Sequence, residues 1–283
     1  MTKLACQLAS AITITLAMCQ SAHPAERVQL ESARYQVGPL QRRLALERGE
    51  PLVRPQASIV DAFLTKPDGA GPFPAIVHLH GCGGLPDDVK HGANSLWSER
   101  LAGWGYVVLV VDSFTARGIS HTCLNQSAPR AADAYGALAW LARQPFVDAS
   151  RIAVIGFSAG GIAALSIAQA RDFELFEGEG EYGFKVAVAF YPYCMPGNMM
   201  KMPTLVLIGE LDDWTPAASC RRIEERRSEG NPVKLIVYPG AYHSFDVPRA
   251  GRRYFGHWLE YNAAAAEAAT EEVKRFLAEH LSR

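Results

Sequence analysis

Five mostly apolar runs, 75–79, 106–111, 151–155, 185–190 and 203–208, constrain the fold of this chain more than any other feature. A strand with one wet face alternates polar and apolar side chains. A strand that is apolar at both parities has to be covered on both faces. Helix-like stretches at about 94–103 and 130–143 lie between the runs and another at 216–228 follows the last of them, and further strand-like segments occupy 27–32, 58–64 and 233–238. A last helix begins near Asn262, a good N-cap, with Val273, Phe276, Leu277, His280 and Leu281 on one face. Strands alternating with helices imply an α/β fold, a mostly parallel sheet with helices on both faces. The Arg-rich connection between the first two strands has no readable periodicity. No composition shift marks a second domain, so residues 23–283 are expected to form one.

The charge balance argues against electrostatic partners. With 28 Lys and Arg against 29 Asp and Glu the net charge is −1, which offers no basic surface for nucleic acid or anionic lipid. The N-terminus carries Lys3, then an apolar stretch of about 15 residues ending near small residues, a pattern that fits a signal peptide better than a membrane span. Residues 1–22 are therefore expected to be a signal peptide, with a periplasmic or secreted mature chain and no stable membrane insertion. Met18 before Cys19 makes a poor lipidation site. Export leaves Cys82, Cys123, Cys194 and Cys220, an even number that permits disulfides. None of them forms a CxxC pair, so no metal site is expected.

In a parallel sheet, functional groups gather where strands end. After 151–155 comes Gly156-Phe157-Ser158-Ala159-Gly160, a G-x-S-x-G element between a strand and an Ala-rich helix. Such a turn lifts a serine hydroxyl above the sheet edge and aims helix N–H groups at the same space. A serine needs a base, and of the eight histidines only His243 sits in a loop after a late strand. Asp212 and Asp213 follow 203–208, and one of them is expected to orient His243, the other being a solvated or N-capping carboxylate; Asp246 is a third candidate. The order Ser158, Asp212, His243 is that of the α/β-hydrolase triad. The loop His80-Gly81-Cys82-Gly83-Gly84 supplies a candidate oxyanion donor at the Cys82 N–H, or else at Gly81, to act with the N–H of Ala159.

Taken together, HLHGCGG, DSFTARG, GFSAGG, FYPYC, GELDDWTP and YPGAYHSF, spread from about residue 76 to 246, resemble the dienelactone hydrolase family of the α/β-hydrolases. In that family the acidic residue follows a Gly-x-x-Asp step with a proline four residues later. Gly209, Asp212 and Pro216 fit, which favours Asp212 over Asp213. The family's namesake enzymes carry cysteine at the elbow. Ser158 in that place implies a general serine hydrolase of carboxylic esters, lactones included, on small-molecule substrates and without a cofactor. A secreted acyltransferase or peptidase with the same triad is the alternative, and a non-catalytic binding module a more distant one. Phe114, Arg117, Tyr191, Tyr193, Met195 and Trp214 follow strands and are candidate substrate contacts, with Arg117 suited to a substrate carboxylate or to a nearby Asp. A disulfide between Cys123 and Cys194 is expected to brace the rim, Cys82 with Cys123 being the competing pair.

Overall fold

In the computed structural model, described for residues 24–52, 56–124, 127–169, 176, 182–195, 200–225 and 232–282, the apolar runs become the inner strands of one sheet. The strands are β1 (Glu26–Glu31), β2 (Ile59–Thr65), β3 (Phe73–Leu79), β4 (Val107–Val111), β5 (Val147–Phe157), β6 (Ala187–Phe190), β7 (Thr204–Gly209) and β8 (Val233–Tyr238). They lie side by side in the order β1-β2-β4-β3-β5-β6-β7-β8. From β4 to β8 every pairing is parallel, whereas β2 is antiparallel to both β1 and β4. Every residue of β4, β6 and β7 is buried, so the expectation of a sheet covered on both faces holds. The signal-peptide boundary at residue 22 lies outside the described residues. Among the described residues no helix is long and apolar enough to cross a membrane.

Among the described residues the α-helices are α1 (Pro39–Arg48), α2 (Asp87–Lys90), α3 (Leu96–Gly103), α4 (Arg130–Ala142), α5 (Ala159–Ala168), α6 (Ala217–Glu225) and α7 (Ala263–Leu281). Asn262 caps α7 by accepting from the Ala265 N–H, and Val273, Phe276, Leu277 and Leu281 are buried as their spacing predicts. His280 stays half-exposed beside Phe276. Helix α1 had no sequence signal because it buries nothing. It starts on Pro39 at its first turn and stops at Gly49, whose φ of 64° is a left-handed cap.

The sheet order corrects the expected disulfide. Cys123 pairs with Cys82, and Cys194 with Cys220. Cys82 and Cys123 lie in the loops after β3 and β4, which are neighbours, so the two loops adjoin. Cys194 lies after β6, with β3 and β5 between it and β4. Its partner comes instead from α6, which follows the adjacent strand β7.

Candidate active site

Strand β5 ends in a turn that only small neighbours allow. A Cβ on Gly156 would lie 2.0 Å from the Gly160 carbonyl oxygen, and one on Gly160 would lie 2.2 Å from that of Leu79. With both side chains absent, α5 starts directly above the β3 and β5 ends and Ser158 takes φ 53°, ψ −115° at the apex. A non-glycine residue there costs on the order of 1–3 kcal/mol, which the surrounding packing offsets. The result is a serine hydroxyl that is neither buried nor fully exposed.

The loop after β8 brings His243 to that hydroxyl: Nε2 lies 3.0 Å from Ser158 Oγ, and Nδ1 lies 2.8 Å from Asp212 Oδ2. Asp212 is 4% exposed and fully hydrogen-bonded. Its Oδ1 accepts from the backbone N–H of Trp214 and Thr215, and its Oδ2 accepts from Thr215 Oγ1 as well as from the imidazole. Those two backbone bonds turn Asp212 inward, so the neighbouring Asp213 points away. Asp213 is the exposed, solvated carboxylate of the pair, its side chain 50% accessible. Its Oδ1 accepts from the Trp258 N–H and lies 3.5 Å from His257 Nδ1. Asp246 is buried elsewhere, accepting from Trp97 Nε1 and Tyr191 Oη, and burial raises its carboxyl above the usual range.

The glycine loop after β3 lies against the elbow, with a Cβ on Gly81 falling 3.6 Å from that of Ser158. Neither the Cys82 N–H nor the Ala159 N–H donates to an acceptor among the described residues. Beneath the loop His80 is 4% exposed, and its Nδ1–H donates to the Gly81 carbonyl while Nε2 accepts from the Ser113 N–H. That tautomer is neutral, and burial, with the Arg130 charge adding to it, lowers the His80 pKa to about 4. Burial likewise lowers His78 to about 3. Both histidines are therefore protonated more readily in the unfolded chain. The stability they lend is present above the unfolded value of 6.5 and drains away as pH falls toward the folded values. Urea unfolding is expected to show a loss on the order of 3 kcal/mol from His80 alone as pH drops from 6.5 to about 4. A His78→Leu variant should give a shallower profile, and a flat wild-type profile would exclude this origin.

Of the candidate substrate contacts, three turn inward. Arg117 gives both Nη1 and Nη2 to the buried Asp133 carboxylate, at 3.0 and 2.7 Å, so its carboxylate comes from the protein rather than from a substrate. Phe114 is 2% exposed and meets the His80 ring edge-on. Tyr191 is 3% exposed, its ring 4.6 Å from that of His243, and supports the imidazole from within. Trp214 is half-buried beside His243, at 5.1 Å, while Tyr193 and Met195 are exposed.

Sequence reasoning missed the wall facing Trp214. The strands β9 (Arg252–Tyr254) and β10 (His257–Leu259) form a hairpin that turns through Phe255 and Gly256, at φ 50° and 90°. His257 stacks on Trp214 at 4.8 Å, Phe255 meets His121 at 5.0 Å, and Tyr254 Oη reaches within 2.9 Å of where a Gly83 Cβ would stand. The hairpin thus spans from the His243 side to the glycine loop, held by Asp213 and by a β-bridge between Leu259 and His243. Three-residue strands joined at Phe-Gly give no alternation and no Asn-Gly signal to read. No cluster of three or more His, Cys, Asp or Glu suited to a metal ion occurs among the described residues.

The sequence model of the dienelactone hydrolase family matches residues 60–281. A Methylorubrum extorquens protein assigned as a carboxymethylenebutenolidase is 27% identical over 216 residues, 70% of this chain and 72% of the relative. A cutinase of Thermobifida fusca is 29% identical over 139 residues, and there the match spans 46% of this chain and 38% of the relative's length. Among solved structures, a dienelactone hydrolase-like promiscuous phosphotriesterase from metagenomic libraries aligns with a TM-score of 0.64 at 20% identity, covering 92% of this chain and all, 100%, of that one. A thermophilic esterase of Thermogutta terrifontis with propionate bound gives 0.59 at 21% identity, covering 79% and 91% of the two chains. At these identities the structural likeness concerns the fold.

Proposed function

The chain belongs to the dienelactone hydrolase family, and from that premise we propose that it is a carboxylic ester hydrolase working through a Ser158–His243–Asp212 triad and an acyl-enzyme. The observation that carries this reading is the unbroken relay from Ser158 Oγ through both imidazole nitrogens to a buried carboxylate. Asp212 holds the proton on Nδ1, which leaves the Nε2 lone pair facing the serine. As Oγ adds to the ester carbonyl carbon, its proton passes to Nε2, and Asp212 stabilises the imidazolium. The carbonyl oxygen becomes an oxyanion, received by the N–H groups of Ala159 and Cys82. Collapse breaks the bond to the alcohol, which leaves with the proton from Nε2. Water then repeats the sequence on the acyl-enzyme and releases the acid. No step in this sequence calls for a metal or an organic cofactor.

An alkyl fluorophosphonate is expected to label the protein once, at Ser158, as read by peptide mass mapping. Absence of label, or label elsewhere, would overturn the reading. The aromatic hairpin is proposed to select the ester. Truncating Tyr254 and Phe255 together to alanine is expected to raise KM for phenyl acetate about 3–10-fold while leaving methyl acetate within about two-fold, the scale of lost aromatic contacts. Equal effects on both esters would remove the hairpin from selectivity. The two disulfides support placing the enzyme in an oxidising compartment, the periplasm or the exterior of the cell.

A further inference from the structure

Arg130, the first residue of α4, is 6% exposed and has no carboxylate partner among the described residues. The buried carboxylate whose charge acts on it, Asp133, is occupied by Arg117 and by Ser32. Arg130 instead lies over the Phe114 ring at 4.8 Å and sends Nη2 to two acceptors, Thr122 Oγ1 at 3.0 Å and the Gly81 carbonyl oxygen at 3.3 Å. Its Nε has no partner. A buried cation left this incompletely satisfied is costly for stability, so it calls for another reason to be there.

The Gly81 carbonyl supplies that reason. It accepts from three donors, the Arg130 guanidinium, His80 Nδ1 and the Gly84 N–H. The carbonyl of Gly81 and the N–H of Cys82 belong to one planar trans peptide and point in opposite directions. Clamping the oxygen toward Arg130 therefore fixes where the Cys82 N–H points. A positive charge on the oxygen also polarises the peptide and makes its N–H a stronger donor. Thr122, which anchors Arg130, ties the far side of the same residue through its own N–H to the Cys82 carbonyl at 2.7 Å.

We propose that Arg130 is a positioning residue for ester hydrolysis, acting through the Gly81–Cys82 peptide to aim and polarise the second oxyanion donor. The inference rests on the serine-hydrolase reading of this site. Burial brings the Arg130 pKa down to about 10, so the group still carries its charge at neutral pH.

The test compares planar and tetrahedral ligands. With p-nitrophenyl acetate, Arg130→Met is expected to lower kcat about 10–100-fold and leave KM within about two-fold, since the interaction strengthens only as the oxyanion forms. The inhibition constant of an alkyl trifluoromethyl ketone, which adds to serine as a tetrahedral oxyanion, should rise by the same factor. Arg130→Lys, which keeps the charge, should recover part of both. Thr122→Val keeps the charge but loses its anchor, and is expected to weaken the ketone about three-fold. Should Arg130→Met fail to fold, the Lys and Val variants carry the test. An unchanged ketone affinity across the folded variants, or a loss confined to KM, would overturn the proposal. Fluorophosphonate labelling of Ser158 in the wild type separates that outcome from a failure of the serine mechanism itself.

Discussion

Ser158→Ala is expected to lower ester turnover on the order of 10⁶-fold, because members of such a unit fail together once the nucleophile is gone. What survives should be the residual catalysis of a cleft whose oxyanion donors are intact. The variant should fold as the wild type does. Alanine keeps the Cβ, the Ser158 backbone keeps its φ of 53°, and the bonds from the Ser158 N–H to Phe190 and from Ile162 to the Ser158 carbonyl are untouched. Thermal unfolding should then shift by less than about 1 kcal/mol, and Ser158→Gly should be the more stable of the two because glycine relieves the positive φ. Steady-state kinetics with p-nitrophenyl acetate and a melting curve on the same preparation decide the matter. Wild-type turnover in either variant would remove Ser158 from the chemistry.

Asp212→Asn is expected to lower kcat on the order of 10⁴-fold while the site keeps its shape. Trp214 and Thr215 each point a backbone N–H at the Oδ1 position, so the amide oxygen of an asparagine belongs there. Its NH₂ then occupies the Oδ2 position and donates toward His243 Nδ1, which Asp212 now meets at 2.8 Å. The imidazole has to accept at Nδ1 and carry its proton on Nε2, facing Ser158, where it can no longer act as base. A proton spectrum should show the imidazole N–H signal moved from Nδ1 to Nε2. Asp213→Asn, one residue on, should leave kcat near wild type and act on the hairpin through Trp258 and His257. Equal losses at the two positions would mean that the roles assigned to the adjacent aspartates are wrong.

Much of this site is legible in one dimension because each part follows a strand. Ser158, Asp212 and His243 come after β5, β7 and β8, and His80–Gly84 after β3, so a parallel sheet delivers them all to one edge whatever its detailed packing. The choice between Asp212 and Asp213 was harder. Spacing and resemblance favoured Asp212, but the physical reason is the pair of backbone bonds that turns it inward. The hairpin escaped notice because its strands are too short to alternate and its turn puts Phe255, not Asn or Asp, in a left-handed conformation.

Sequence alone determined that this chain builds a doubly covered, mostly parallel sheet with a serine, an aspartate and a histidine each at the end of a separate strand. Hydrophobic runs state how buried a strand is, and glycines state where backbones approach, both being local properties. Tertiary structure decided which strands are neighbours, since strands equally apolar on both faces carry no label for their partners. From that lateral order follow the pairing of Cys82 with Cys123, the commitment of Arg117 to Asp133, and the placement of Arg130 beneath the Gly81 carbonyl.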